Sequence, residues 1–539
     1  MRYVGVQNRR KVLCIFARYV PVLANMHHSY HFFPDTQAFM TPQGILTIAA
    51  YLPEEWEVRV VDENIHPPED ADFEWADMVF VSGMHVQRRR MAWLAERAHA
   101  FGKLAVVGGP SVSSRPSYHP GFDILHVGEL GDATDQLIQM LDTSVERPAE
   151  QVVLTTEHRL PLNDFPIPAY DLVDLNKYMV LSIQWSSGCP YTCDFCDIPA
   201  LYGHEPRLKT PERVLAELDA ILAHDPLTAI FWVDDNLIGN KKAAKLLLPH
   251  LVEWQKRTGY RLRMSAQCTL NLAQDRDLLA MLRDAFFVGM YFGIESPSTA
   301  TLAGITKHQN NRMPVRDAAK IFNEFGIELN AGFIFGMDGD GPDTVDKVIE
   351  LVNDAGIPLV LLNVLYALPK SPLWDKLEAQ GRLIPESDVV DSNVVFQLPA
   401  DVVMSQWKKA VKVCYAPKAV FERYRYNVKH TYVNQLKPSL TRYGFSWRLV
   451  HMGVHCLATI FWTCGVRSNY KREFWTLAWE LLRAGRVDYL ILITSVSHHL
   501  IRFGEDVLAG RAEPSIYTPD LMHQPASSSS PANELVTIR

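Results

Sequence analysis

Three closely spaced cysteines are the residues of this sequence with the clearest chemistry. Cys189, Cys193 and Cys196 lie in the segment SGCPYTCDFC and follow a Cys-x3-Cys-x2-Cys pattern. Three thiolates on one short loop can bind an iron–sulfur cluster and leave one iron open to a further ligand. A zinc site is the alternative, but zinc usually has a fourth Cys or His ligand, which His204 would have to supply. The spacing favours the iron–sulfur cluster.

The remaining cysteines are scattered, and we interpret them as buried, unreactive thiols. They are Cys14, Cys268, Cys414, Cys456 and Cys464. Eight cysteines in 539 residues are too few for a disulfide scaffold. The first apolar stretch, Val12–Phe16, is too short for the core of a signal peptide. We therefore expect a protein of the reducing cytoplasm.

The cysteine loop follows a predicted strand, Met179–Gln184, that opens a series of strand–helix units. The further predicted strands are Ala229–Val233, Arg261–Ala266, Val288–Ile294, Leu329–Phe335 and Leu359–Tyr366. The helical patterns between them are Pro211–Ala223, Asp275–Ala285, Val315–Phe325 and Asp343–Ala355. Such repeats indicate a complete or partial (β/α) barrel, whose chemistry lies on the loops after the strands.

An earlier series of short apolar runs indicates a second sheet. Its predicted strands are Val12–Phe16, Glu57–Val61, Met78–Ser82, Leu104–Val107 and Ile124–Val127, with helices at Gly44–Tyr51 and Arg89–Phe101. The alternation predicts a doubly wound parallel sheet, which binds ligands at the carboxyl ends of its strands. Small residues, Ser82, Gly83, Gly108 and Gly109, lie at those ends. They are either ligand contacts or ordinary turns, and no GxGxxG fingerprint of a dinucleotide site is present.

We expect an α/β protein with a helical C-terminal region. The predicted units are an α/β domain (1–147), a proline-rich linker (148–178), a barrel (179–382), a helical domain (383–511) and a flexible tail (512–539). With 53 basic and 61 acidic residues the net charge is −8, which gives no support for nucleic-acid binding.

One C-terminal segment raises the question of a membrane. Leu449–Val466 contains no Lys, Arg, Asp or Glu, and Tyr489–Ile501 is a second apolar stretch. We interpret the first segment as a buried core helix, with an interfacial helix or a true membrane span as alternatives. His451 and His455 interrupt the apolar run and disfavour the span.

The cysteine loop resembles the signature of the radical S-adenosylmethionine (SAM) superfamily, including an aromatic residue, Phe195, before the last cysteine. The resemblance implies that Cys189, Cys193 and Cys196 bind a [4Fe-4S] cluster whose open iron chelates SAM. It further implies that one electron cleaves SAM to a 5′-deoxyadenosyl radical, which abstracts a substrate hydrogen. Phe195 would pack near the adenine.

Further SAM contacts follow from the same resemblance. The segment WVDDN, which contains Asp234 and Asp235, stands where other members have a GGE segment and is similar to the cobalamin-dependent branch. Glu295 is implied to be a SAM-contacting carboxylate, and Gly332 belongs to a GFIFG segment like the one that lies against adenine. A solvated loop or a helix cap is the alternative for the three carboxylates.

A doubly wound domain before a radical SAM barrel resembles the cobalamin-binding methylases. The implied cobalamin contacts are Gly44, Ser82, Gly83, Gly108 and Gly109. The Asp-x-His-x-x-Gly motif that supplies a histidine ligand to cobalt is absent from this sequence. The resemblance therefore implies cobalamin without that ligand, and His85 and His66 are the histidines that could approach the corrin.

Within this branch the sequence is most similar to the hopanoid C-2 methylases. The segments DENI (62–65), VSGMHVQ (81–87) and YNVKHTY (426–432) carry the similarity. It implies methylation of an unactivated hopanoid carbon, an electron donor such as flavodoxin or ferredoxin, and peripheral contact with the cytoplasmic membrane. The alternatives are a radical SAM methylase or cyclase of tetrapyrroles and a non-catalytic corrinoid or redox sensor.

Overall fold

The computed structural model describes residues 6–20, 22–226, 228–385, 389, 391–438, 446–512 and 514. Apart from positions 512 and 514, the predicted tail at 512–539 lies outside the described residues.

The strands and helices of the described residues alternate through the first two thirds of the chain. The strands are β1 Lys11–Phe16, β2 Ala38–Met40, β3 Glu57–Asp62, β4 Met78–Ser82, β5 Leu104–Gly108, β6 Ile124–Val127, β7 Val152–Thr155, β8 Tyr178–Ile183, β9 Ser186–Ser187, β10 Arg207–Leu208, β11 Ala229–Trp232, β12 Met264–Cys268, β13 Phe287–Glu295, β14 Glu328–Phe335 and β15 Val360–Val364. The α-helices are α1 Gln43–Tyr51, α2 Asp70–Trp75, α3 Arg88–Ala100, α4 Pro110–Ser114, α5 Asp132–Thr143, α6 Ile198–Tyr202, α7 Pro211–Ala223, α8 Lys241–Thr258, α9 Arg276–Asp284, α10 Thr299–Gly304, α11 Val315–Glu324, α12 Thr344–Asp354, α13 Pro372–Ala379, α14 Ala400–Cys414, α15 Pro417–His430, α16 Trp447–Ile460, α17 Lys471–Arg483 and α18 Val487–Leu508.

The first sheet has the strand order β3-β1-β4-β5-β6-β7, and all its pairs are parallel. Its central strand β1 is covered on both faces: Leu13 and Ile15 pack with helices α2 to α4, and Val12 and Cys14 pack on the opposite side. The predicted doubly wound sheet is confirmed. Because the strand order reverses between β1 and β4, the ligand crevice of such a sheet lies at their carboxyl ends.

The edge strand β7 was missed by the sequence analysis. It lies inside the predicted linker and pairs with β6 from Ile124↔Val152 to Val127↔Thr155. β7 has only four residues, and half of Val153 is exposed. A short strand that is solvated on one side lacks the apolar run that marks a buried strand.

The second sheet has the order β15-β14-β13-β12-β11-β8-β2 and is also entirely parallel. Its six strands from β8 to β15 form the predicted partial barrel. The seventh strand, β2, comes from the N-terminal region. It was not predicted, because it is only three residues long. Just after it, the Oγ1 of Thr41 accepts a hydrogen bond from the backbone N–H of Ser182 at 2.8 Å. The N-terminal region is thereby attached to the second sheet, and the two sheets share one hydrophobic core.

The C-terminal region is helical, as predicted, but its two apolar segments differ. Helix α18 is largely buried. Helix α16 continues through a π-helical segment, Phe461–Arg467, and this 21-residue unit is long and apolar enough to cross a membrane. Only 22% of its apolar window is buried. The interpretation as a buried core helix is therefore wrong, because only Cys456, Ile460, Cys464 and Gly465 are buried. Leu457 and Phe461 pack against the core but are only partly buried.

Candidate active site

The cysteine loop is held by two carboxylates at the end of β11. The buried Asp234 accepts a hydrogen bond through Oδ1 from the backbone N–H of Trp185 at 2.9 Å and another from that of Ser186. Asp235 accepts one from the N–H of Gly188 at 2.8 Å. Burial raises the pKa of Asp234 to about 7 and that of Asp235 to about 6. Both predicted cofactor contacts thus lie at the strand end and anchor the backbone that leads to Cys189.

The three thiols of this loop are free and differ in exposure. Cys193 is buried, whereas Cys189 and Cys196 are partly exposed. Burial raises the pKa of the Cys189 and Cys196 thiols, so a bound metal must stabilise their thiolates. Four-coordinate zinc at 2.3 Å from each sulfur would bring the sulfurs to about 3.8 Å from one another. Among the described residues, these thiols do not form a donor set within 4.8 Å, which fits a larger cluster better than a single ion. His204, the proposed fourth zinc ligand, is exposed.

The loop turns sharply at Gly188, whose φ is +98°. A Cβ atom there would lie 2.8 Å from the carbonyl oxygen of Gly203. We expect Gly188→Ala to lower stability by about 1–3 kcal/mol through backbone strain alone, and to reduce the iron content of the reconstituted protein. Chemical denaturation and iron analysis measure the two effects.

The control for this variant is Gly121→Ala. An added Cβ at Gly121 meets nothing within 4 Å, so this variant should keep both stability and iron. Equal losses in both variants would show that the geometry of Gly188 is unimportant.

A buried ion pair lies beside the cysteine loop. Nζ of Lys307 is 2.5 Å from Oε1 of Glu295 at the end of β13, and both side chains are about 8% exposed. Burial acts to lower the pKa of Lys307, but the charge and hydrogen bond of Glu295 and the nearby thiols of Cys193 and Cys196 together outweigh burial, and the pKa lies above its ordinary value. Gly293 makes room for the pair, since a Cβ there would come within 2.1 Å of the Glu295 oxygen.

The same lysine connects the ion pair to the predicted adenine contact. Nζ of Lys307 lies 5.2 Å from the ring centroid of Phe195. Two residues further along the chain, Nε2 of the buried Gln309 donates a hydrogen bond to Sγ of Cys193 at 3.3 Å. The structure therefore brings together Phe195, Glu295 and the cysteine loop. This set fits SAM, which carries an amino group, a carboxylate and an adenine ring.

Gly332 lies on β14 beside Tyr291 of the neighbouring strand β13. A Cβ at Gly332 would lie 2.1 Å from the tyrosine hydroxyl. The glycine therefore makes room for Tyr291, and an adenine contact at this position stays a prediction.

The predicted cobalamin contacts lie at the carboxyl edge of the first sheet, except Gly44. A Cβ at Gly83 would lie 2.9 Å from Sδ of Met91, and one at Gly109, whose φ is +104°, would lie 2.9 Å from Oγ of Ser82. These glycines therefore make room for protein atoms. Gly108 has ordinary contacts, and Gly44 lies exposed at the start of α1 with open space around it.

His85 is the residue of this edge that best fits a large ligand. It is buried, and its ring lies 5.3 Å from that of Tyr118 and 6.4 Å from that of Tyr366, which follows β15 of the barrel. Burial lowers its pKa to about 3, so the imidazole is neutral. Its Nδ1 is buried and has no hydrogen-bond partner within the described residues, and a contact of His85 with cobalamin stays a prediction. His66, in contrast, is exposed.

Glu129 joins the two carboxyl edges. It follows β6 of the first sheet, and its Oε1 accepts a hydrogen bond from Oγ of Ser187 in the cysteine loop at 3.0 Å. Its other oxygen pairs with Arg207 and lies 3.6 Å from Arg159. The carboxyl edge of the first sheet therefore lies beside the cysteine loop.

Three polar residues of this site were missed by the sequence analysis as functional residues. They are Glu129, Lys307 and Gln309. Glu129 follows the predicted strand Ile124–Val127, and this position after a strand could have indicated a functional residue. Lys307 and Gln309 follow the short helix α10, and only their contacts with Glu295 and Cys193 distinguish them from ordinary loop residues.

Comparison with known proteins agrees with this geometry. Residues 183–352 match the radical SAM superfamily, and residues 371–513 match a domain of unknown function, DUF4070. The chain is 47% identical to hopanoid C-2 methylase of Rhodopseudomonas palustris (strain TIE-1), over 96% of this chain and 98% of that protein. This chain belongs to the hopanoid C-2 methylase family. Membership confirms the prediction of a radical SAM methyltransferase. The predicted cofactors, a [4Fe-4S] cluster, SAM and cobalamin, agree with this membership and with the cobalamin-dependent structures described next.

This hopanoid C-2 methylase family member also resembles other proteins more distantly. An uncharacterised methyltransferase of Synechocystis is 32% identical over 87% of this chain and 88% of its own. The cobalamin-dependent SAM radical enzyme OxsB with aqua-cobalamin bound has a TM-score of 0.59 at 14% identity, over 94% of this chain and 81% of its own. TsrM from Kitasatospora setae, with cobalamin and a [4Fe-4S] cluster bound, has a TM-score of 0.55 at 16% identity, over 74% and 84%. These structures confirm the fold.

Proposed function

We propose that this enzyme methylates an unactivated ring carbon of a hopanoid, at C-2. The 47% identity with the R. palustris enzyme carries the proposal, because it extends over the helical C-terminal region as well as the two sheets. When bound, the cluster and SAM would supply the radical that removes a hydrogen atom, and cobalamin would supply the methyl group. We also keep the predicted division into an α/β domain, a barrel and a helical domain as part of this proposal, with the end of the first domain moved from residue 147 to beyond β7.

Different residues of this chain bind the different cofactors. Cys189, Cys193 and Cys196 hold the cluster, and the pair of Glu295 and Lys307 binds the polar end of SAM. The crevice around His85 holds cobalamin. Holding the reacting groups in one place removes the entropic cost of bringing them together.

Apolar side chains around Phe195 support an apolar substrate. Phe195 and Ile334 pack against the buried cluster of Leu302, Ile305 and Met337. They also pack against a second cluster on the loop after β15, which includes Leu365. An apolar wall beside the cysteine loop suits a saturated polycyclic hydrocarbon and excludes water from a reactive radical.

Production of the enzyme in a bacterium that makes hopanoids but has no C-2 methylase of its own tests the substrate. We expect C-2 methylated hopanoids in the lipid extract and none with the Cys193→Ala variant. Lipids that stay unmethylated while purified enzyme methylates or cyclises a tetrapyrrole would favour the second enzyme class. The absence of 5′-deoxyadenosine with either substrate would favour the sensor.

The outer face of α16 and its π-helical continuation supports contact with the membrane that contains the lipid. Its exposed apolar residues are Trp447 (77%), Val450 (41%), Val454 (63%), Trp462 (58%) and Val466 (54%). Arg448 and Arg467 lie near its two ends. A helix with exposed tryptophans and basic ends is suited to the bilayer interface. We place the enzyme at the inner face of the cytoplasmic membrane, with flavodoxin or ferredoxin as electron donor.

The double variant Trp447→Ser, Trp462→Ser should weaken binding to vesicles of anionic phospholipid. Loss of roughly 1.4 kcal/mol of apolar transfer free energy corresponds to about tenfold weaker binding. Co-sedimentation with the vesicles measures it. Leu246→Ser is the matched control, since Leu246 is 71% exposed on the barrel helix α8. If the control loses as much binding as the double variant, α16 does not contact the membrane.

A further inference from the structure

Two histidines near the start of the chain meet the last helix. His27 and His28 lie in a 3-10 helix, His27–Phe32, and Asp506 lies on α18. One ligand atom from each of the three residues lies within 4.8 Å of the others. Among the described residues, no other set of three such donors gathers as closely. None of these three residues belongs to the cysteine loop or to a strand of the first sheet.

The two imidazoles are in the state that a metal ion requires. Burial lowers the pKa of His27 to about 4 and also lowers the pKa of His28. Both rings are therefore largely neutral at pH 7, and a neutral imidazole has a lone pair to donate. Nδ1 of His27 is buried and has no hydrogen-bond partner within the described residues. Nε2 of His28 lies 2.7 Å from Oδ2 of Asp506.

Neighbouring groups orient these three side chains. Arg511 donates a hydrogen bond to Oδ1 of Asp506 at 2.6 Å, which leaves Oδ2 directed at His28. Nε2 of His499 lies 2.8 Å from the carbonyl oxygen of Leu23, and its Nδ1 accepts the backbone N–H of His28 at 3.3 Å. Outer contacts of this kind hold ligands in place at metal sites.

We propose that His27, His28 and Asp506 bind a divalent transition-metal ion of the Zn²⁺ class. Two imidazole nitrogens and one carboxylate oxygen are a common ligand set for Zn²⁺, with water in the fourth position. The ion ties the first 3-10 helices to α18, against which α16 also packs. The competing explanation is a hydrogen-bonded pair of His28 and Asp506 without a metal.

Zinc analysis of the full-length, cluster-loaded protein tests the proposal. After removal of loosely bound metal and equilibration with Zn²⁺ at low micromolar concentration, we expect about one zinc per chain. His28→Gln and Asp506→Asn should each lower zinc affinity by at least about tenfold. Glutamine can still donate a hydrogen bond to Asp506, so His28→Gln separates loss of the metal from loss of the hydrogen bond. Circular dichroism and cluster absorbance confirm that each variant is folded and loaded.

The double variant His451→Ala, His455→Ala is the matched control. These histidines lie one turn apart on α16 with ring centroids 6.4 Å apart, and this variant should keep its zinc. Zinc should also raise the melting temperature of the wild type and leave that of Asp506→Asn unchanged. The proposal is overturned if the wild type takes up no zinc, if His28→Gln and Asp506→Asn bind it like the wild type, or if only the His451 and His455 variant loses it.

Discussion

Cys193→Ala should lose the iron–sulfur cluster and with it the reductive cleavage of SAM. Cys193 is the most buried of the three cysteines, and Gln309 donates a hydrogen bond to its sulfur. Alanine removes one of the three thiolates, and the two that remain are too few to hold the cluster. We expect iron content and 5′-deoxyadenosine formation to fall to background after anaerobic reconstitution. Iron analysis and product chromatography measure the two quantities.

Cys268→Ala is the matched control for this result. Cys268 is buried at the end of β12 in the same barrel, and its sulfur lies 3.7 Å from that of Met290. This variant removes a buried thiol without touching the cysteine loop, so iron and cleavage should stay near the wild-type level. A Cys268 variant without cluster, or a Cys193 variant with a full one, would contradict the assignment of the ligands.

Breaking the ion pair of Glu295 and Lys307 should produce the second large effect. Glu295→Gln leaves the lysine charge buried without its partner, and removing one partner of a buried pair costs about 3–5 kcal/mol. We therefore expect a comparable loss in the free energy of unfolding. We also expect SAM binding to weaken, because the pair lies beside Phe195 and the cysteine loop. Denaturant titration and equilibrium binding of SAM measure these effects.

The double variant Glu295→Gln, Lys307→Met separates stability from binding. It removes both charges, so most of the lost stability should return. SAM binding should stay weak, because neither charge is then available to the amino or carboxylate group of SAM. If SAM binding returns together with stability, the pair is only structural.

Local signals determined much of this fold. The predicted helix Pro211–Ala223 has the same bounds as α7, and the side chain of Thr210 caps it by accepting a hydrogen bond from the Arg213 N–H. The predicted strands at Met78–Ser82 and Ile124–Val127 have the same bounds in the structure. Capping and continuous apolar runs depend on neighbouring residues, so they can be read without tertiary contacts.

The predicted cluster ligands also follow from local spacing, whereas the other residues of the candidate site do not. Three cysteines within eight residues place their thiols on one loop whatever the fold. The partner of Glu295 is twelve residues away and lies beyond α10, and no spacing rule connects it to Lys307. His28 and Asp506 are separated by 478 positions. Contacts of this kind exist only after the chain has folded back on itself.

By itself, the sequence determined most of the strands and helices, the predicted cluster ligands and the family resemblance. Only the tertiary structure decided that β2 joins the barrel, that Glu129 connects the two carboxyl edges and that little of α16 is buried. The physical reason is that burial and pairing depend on what packs against a segment. The same apolar composition gives a buried helix in α18 and a surface helix in α16.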